Sequence, residues 1–141
     1  MYLFVYGTLR SSKVLDLLVG ENFQNNVFGK AYLPDYKTTF FKDEVYPGIV
    51  PSPGDRVYGL IYHWGGDEQM DTIDKFEGDE FHLSKKTVLV GADETELECF
   101  LYEPNLQATL TPFTWTYEEF EKIHLDGFIN ETLGWIRSQR R

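Results

Sequence analysis

The stretch Tyr2-Leu3-Phe4-Val5-Tyr6-Gly7-Thr8-Leu9-Arg10 decides how this chain is read. Residues favoured in strands run into a glycine and a hydroxyl, and a helix-forming segment follows. A buried strand that ends in such a turn leaves backbone N–H groups without a ladder partner. These can donate to an anion or oxyanion at the neighbouring helix start. Glycine permits close approach, because a Cβ would hold a ligand off. An ordinary β-turn has the same form, so the rest of the chain must decide between the two.

Outward from that stretch, Ser11 or Ser12 is predicted to cap a short helix with apolar residues Val14, Leu15, Leu17 and Leu18, closed by Gly20. Val27 to Phe41 reads as extended, and Gly29 and Pro34 make it two short strands or one bent one. Pro47-Gly48 and Pro53-Gly54-Asp55 mark turns. Arg56 to Trp64 is a strong strand. Val57, Gly59, Ile61 and His63 alternate with Tyr58, Leu60, Tyr62 and Trp64, which predicts burial on both faces, as in a barrel or sandwich. Gly65-Gly66 ends it, and Asp67 is placed to cap a helix running to about Lys75 or Phe76, striped by Met70, Ile73 and Phe76.

Lys86 to Val90, the turn Gly91-Ala92-Asp93, and Leu97 to Tyr102 form a predicted hairpin that Pro104 ends. Asn105 to Trp115 reads as a loop. Thr116 with Glu119 makes a capping box, and Phe120, Ile123, Phe128, Ile129, Leu133 and Ile136 recur at helical spacing, with Gly127 dividing two helices. The sum is one α+β domain over 1–141, a mixed, partly closed β-barrel of about six strands flanked by helices, with a helical region at about 116–139.

Composition narrows the partners. A formal net charge of −10 argues against nucleic acid, which needs clustered Lys and Arg. The one basic cluster, Arg137, Arg140 and Arg141, reads as solubilising a helix end. No run approaches the roughly 18 consecutive apolar residues of a membrane span. No signal-peptide pattern is present, and the single cysteine, Cys99, lies in an apolar run, so the chain reads as cytoplasmic with a reduced, buried thiol. A monomer or weak homodimer is expected.

His63, His82 and His124 share no ligand spacing with one another or with Cys99, so no metal is expected. Gly7 lacks the Gly-Lys-Ser pattern of a phosphate loop, and no Gly-x-Ser-x-Gly is present. A carboxylate and the donor loop remain. Glu77 stands at a predicted helix C-terminus, against the negative end of the dipole. Asp74, Asp79 and Glu80 add like charge, and Phe76 and Phe81 promise burial. Each influence raises a carboxyl pKa, which suits a group that takes a proton and returns it. A solvated glutamate in a polar turn is the plain alternative.

Five ordered elements resemble the gamma-glutamylcyclotransferase-like superfamily, most closely its gamma-glutamylamine cyclotransferase branch. They are Phe4 to Arg10, Tyr46-Pro47-Gly48-Ile49-Val50, Val57-Tyr58-Gly59-Leu60-Ile61-Tyr62, Met70 to Gly78, and Cys99-Phe100-Leu101-Tyr102. The match spans residues 1–102, and the last forty residues show no family signature. The resemblance implies a mixed barrel with a cavity at its mouth, a small gamma-glutamyl substrate, release of 5-oxoproline, and no cofactor. It implies Glu77 as acid/base, with Tyr6, Gly7, Thr8, Leu9, Tyr46 and Tyr102 about the substrate. Two positions depart from the pattern. Where many relatives carry a tyrosine and an arginine after the glutamate-glycine pair, this chain has Phe81 and Leu83. A binding module that holds a small carboxylate or amino-acid derivative without turnover is therefore a second reading. A third makes Phe120, Phe128 and Trp135 a docking face for a partner, against the preferred expectation that they pack on the barrel.

Overall fold

The computed structural model describes residues 1–20, 26–63, 67–106 and 109–139. Strand β1 (Tyr2–Val5) leads through a single 3-10 turn (Thr8–Arg10) into helix α1 (Ser12–Val19), where the Val14 N–H donates to Ser11 Oγ at 3.4 Å. Gly20, at φ 89°, ends α1 as predicted. Strands β2 (Val27–Phe41) and β3 (Pro47–His63) form a long antiparallel pair, from Val27 opposite Tyr62 to Phe40 opposite Pro47. Helix α2 (Asp67–Glu77) precedes the hairpin of β4 (Phe81–Val90) and β5 (Thr95–Pro104), which runs several residues beyond its predicted ends. Strand β6 (Leu110–Thr114) follows. The chain closes with α3 (Tyr117–Glu119), a π-helical turn (Phe120–His124) and α4 (Leu125–Gln139) as one unbroken helical run.

The strand order is β3-β1-β5-β4-β2-β6, and β2 also pairs with β3. That second pairing closes five strands into a mixed barrel and leaves β6 outside, on the edge of β2. Among the described residues the only parallel neighbours are β1 and β5, with Leu3 opposite Phe100. Alternation along each strand sends Phe4, Leu33, Val57, Ile61, Val88 and Leu101 into the barrel, all buried. Cys99 joins them, and burial pushes its thiol up to about 11. A second core lies between the barrel and the helices, built on Leu3, Val5, Val14, Leu15, Ile73, Phe120 and Phe128. The aromatic C-terminal residues thus pack on the barrel, as preferred, and Trp135 packs against the same core. Among the described residues no helix is long and apolar enough to cross a membrane.

The structure departs from expectation in five places. Pro47-Gly48 is not a turn: both residues lie in β3, opposite Phe40 and Thr39, and the reversal comes earlier, where Asp43 adopts φ 63° and the Phe41 N–H reaches the Tyr46 carbonyl at 2.9 Å. Pro53-Gly54-Asp55 does reverse locally, but as a bulge within β3, because Tyr36 opposite Pro51 is followed by Pro34 opposite Arg56. There the Gly54 N–H donates to Asp35 Oδ1 at 2.9 Å. Burial on both faces of Arg56–Trp64 fails at Tyr58, which is 58% exposed, and at His63, because the helices cover only part of the barrel's outside. The supposed loop 105–115 contains β6, which pairs Thr39 with Thr114 and Phe41 with Leu110. Pro112 hid it, and is tolerated because this strand lies at an edge.

The Thr116 cap holds, accepting the Glu119 N–H at 3.3 Å, but Gly127 divides nothing: it lies inside α4, and the irregularity is the π turn instead. Trp64, the Gly65-Gly66 break, the Asp67 cap, and Arg140 and Arg141 lie outside what the structure describes.

Candidate active site

The end of β1 and the end of α2 meet at one mouth of the barrel. Tyr6 is buried and its hydroxyl donates to the Tyr102 carbonyl at 2.6 Å, tying the opening loop to β5. The turn that follows is held by the Arg10 N–H to the Gly7 carbonyl (3.0 Å) and the Ser11 N–H to the Thr8 carbonyl (3.1 Å). None of these turn bonds uses the N–H of Gly7, Thr8 or Leu9 as donor. Arg10 lies over the Tyr117 ring at 4.3 Å, which joins the turn to the C-terminal helical run. A Cβ at position 7 would come within 3.1 Å of the Pro47 ring, which would have to give by a few tenths of an ångström, so the neighbouring strand adds a constraint on this glycine beside the one read from the sequence.

Helix α2 is seated by Ile73, fully buried, and by Phe76, whose ring meets Phe128 and Trp135 edge-on at 6.0 and 5.3 Å. Gly78, at φ 77°, ends the helix with its N–H on the Asp74 carbonyl at 3.1 Å, leaving Glu77 as the last helical residue. Burial first, and then the Asp74 charge, push the Glu77 carboxyl up to about 8. Of the three influences named from the sequence, burial and like charge are both present, with burial the larger. The Tyr102 hydroxyl donates to Asp74 Oδ1 at 3.3 Å, and the Tyr46 hydroxyl to Glu80 Oε2 at 3.3 Å.

These groups surround a cavity of about 220 Å³. Glu77, Tyr6, Gly7, Thr8, Leu9, Tyr46 and Tyr102 all line it, so every residue that the resemblance sets about the substrate is brought to one place. Phe81 lines it too and stacks in a cluster with Phe41 and Tyr46, at 5.5 and 6.1 Å. Leu83 does not line it: it lies opposite Tyr102 in the ladder and is 37% exposed. Of the two departures from the family pattern, only the one at position 81 faces the cavity.

The sequence reading missed the far wall. Phe128, Glu131, Thr132 and Trp135 of α4 complete the enclosure. Their spacing does place them together on one helix surface, but the pattern cannot say which surface meets a cavity. Thr132 is buried, its hydroxyl donating to the Phe128 carbonyl at 2.8 Å. His82 hydrogen-bonds Asn105 at 2.7 Å, and among the described residues no three His, Cys, Asp or Glu side chains gather as a metal would require.

A closed five-stranded mixed barrel with helices packed on it, and this cavity at its mouth, is the fold of the gamma-glutamyl cyclotransferases. A solved structure of a gamma-glutamyl cyclotransferase superimposes with a TM-score of 0.62, over 74% of this chain and 66% of that one, at 20% identity. A solution structure of an Arabidopsis thaliana protein superimposes with a TM-score of 0.67, over 99% and 93% of the two chains, also at 20% identity. The family model described as gamma-glutamyl cyclotransferase, AIG2-like, matches residues 3–121, and the chain belongs to that family. AIG2-like protein D of Arabidopsis thaliana is 30% identical over 136 residues, covering 92% of this chain and 84% of its own. The family match runs past residue 102, where the recognisable motifs stop, through β6 and into the π turn.

Proposed function

We propose that this protein is a cofactor-independent cyclotransferase that releases 5-oxoproline from a small gamma-glutamyl amine or peptide. The observation that carries this reading is Glu77, a carboxyl with its pKa raised to about 8 in the wall of a largely aromatic cavity, facing the same space as the Gly7–Leu9 turn. In the reaction the substrate's α-nitrogen attacks its own γ-carbonyl carbon. The new bond closes a five-membered lactam, and the bond from that carbon to the leaving nitrogen breaks. An α-ammonium gives up two protons on the way to the lactam N–H, and the departing amine gains two. Glu77 carries them one at a time, as base and then as acid. A carboxyl with a pKa near that of the groups it serves is suited to both directions.

Because the attack is intramolecular, the protein's main task is to fold the substrate so that nitrogen and carbonyl meet. The N–H groups of the Gly7–Leu9 turn, which donate in none of the turn's own hydrogen bonds, suit the α-carboxylate or an oxygen near it, and the aromatic walls exclude water from the reacting atoms. The test is 5-oxoproline release from a panel of gamma-glutamyl dipeptides and amines, with wild type and Glu77→Gln compared. Product from wild type and none from the variant is expected. Full activity in Glu77→Gln would remove Glu77 as the proton carrier. Ligand binding by wild type without product would select the non-catalytic binding module.

A further inference from the structure

We infer that the groove between the start of α1 and the C-terminal helical run is a second binding site, for a ligand of dipeptide size with a free ammonium and a free carboxylate. The groove has a volume of about 830 Å³ and shares no lining residue with the cavity at the barrel mouth. Its charges are sorted by element. Arg10, Lys13 and Lys30 come from the opening turn, α1 and β2, while Glu118, Glu121 and Asp126 all come from the C-terminal run. In a chain of formal net charge −10, this lining is balanced, three against three. Among the described residues none of the six forms an ion pair; the pairs present join His82, Lys85 and Lys86 to Glu98 and Glu103. Burial lowers the pKa of Arg10 and the charges of Glu118 and Glu121 oppose that, so the two walls act on one another across the groove without pairing.

That arrangement selects a dipole. An anion on the basic wall would face three carboxylates, and a cation on the acidic wall would face three basic side chains. A molecule carrying both charges gives each wall its opposite. The floor supplies apolar contact. Leu125 is buried, and the Tyr117 ring is fixed by Arg10 above it at 4.3 Å and by its hydroxyl, which donates to Glu121 Oε2 at 2.9 Å. Tyr58, on the part of the barrel that the helices leave uncovered, offers a ring that is 58% exposed. Two phenol rings and a leucine suit a peptide with an aromatic side chain, and the volume is ample for two residues. Glu77 lies outside this groove, so its occupancy can be measured whether or not the barrel-mouth cavity turns over a substrate.

Alanyl-phenylalanine, its N-acetyl form and its C-terminal amide are titrated separately into the isotope-labelled full chain, and backbone amide shifts are followed by NMR. The free dipeptide is expected to give saturable shifts at Lys13, Lys30, Tyr58, Glu121 and Asp126, with a Kd near or below about 1 mM. Each blocked form should bind roughly threefold to fivefold more weakly, the loss of one partly exposed ion pair. Variants then separate the walls. In Glu121→Gln/Asp126→Asn the free and N-acetyl forms should bind alike to within about twofold, and in Lys13→Gln/Lys30→Gln the free and amide forms should do so. The three-peptide comparison on wild type needs no variant to fold. Equal binding of all three peptides to wild type, shifts confined to residues around Glu77, or no saturable shift overturns the inference.

Discussion

Glu77 shows at the scale of one residue how a site conflicts with stability. Its folded pKa of about 8 lies above the 4.5 of a free glutamate. Below pH 4.5 both the folded and unfolded chains hold the proton, and burial of the group costs little. As pH rises towards 8 the unfolded chain ionises while the folded one keeps the proton, so stability falls by about 1.4 kcal/mol per pH unit. Glu77→Gln should therefore be more stable than wild type at pH 8, and the difference should disappear near pH 4. Denaturant melts of both proteins across that range check it. The same pKa predicts a rising limb near pH 8 in kcat/KM against pH, since the proton carrier must be ionised to accept the α-ammonium proton. A limb near 4.5 would mean that substrate-free Glu77 is solvated. Gly7→Val is expected to force the turn away from Pro47 and weaken ligand binding, which calorimetry would read as a loss of affinity with the fold retained.

At the scale of elements, the placement of Glu77 depends on a helix far away in the chain. The C-terminal end of α2 is held by Phe76 between Phe128 and Trp135, so α4 sets where the carboxyl stands as well as lining the cavity. Trp135→Ala should cost about 2 kcal/mol in stability, less than a fully buried ring because Trp135 is half-buried. It should also let water reach Glu77 and shift the kcat/KM limb to lower pH, which loss of stability alone would not do. Trp135→Phe should restore most of the limb's position. Elements with strong local signals were legible in the sequence. The Ser11 and Thr116 caps and the Met70-Ile73-Phe76 stripe depend on neighbours a turn away, and the structure has them in place. Strand β6 was not legible, because Leu-Thr-Pro-Phe-Thr becomes a strand only when β2 offers it an edge.

At the scale of the whole molecule, the barrel depends on how closely β3 can approach β1. Gly59 lies where a Cβ would press into the Val5 carbonyl and come within 2.8 Å of the Phe4 ring. The antiparallel register of Val5 with Leu60 and Phe4 with Ile61 leaves no room for it. Gly59→Ala is expected to destabilise the fold by more than about 3 kcal/mol, since overpacking here meets backbone that cannot yield. Circular dichroism and thermal melts would show it, and a melt within a few degrees of wild type would contradict the tight seam.

By itself the sequence determined that the chain would form an α+β barrel, that the Tyr6–Leu9 turn would follow a buried strand, and that Glu77 would end a helix beside aromatic residues. Those are consequences of hydrogen bonding, capping and side-chain alternation over a few positions. Only the tertiary structure decided that the turn, Glu77, Tyr46 and Tyr102 share one cavity, that Gly7 answers to Pro47, and that Glu131 and Trp135 form the far wall. The physical reason is that the pattern of polar and apolar residues along helix α4 is the same whether a surface faces a cavity or bulk water. Packing of α4 against α1 and the Phe76 ring of α2 determines which of its surfaces meets the site.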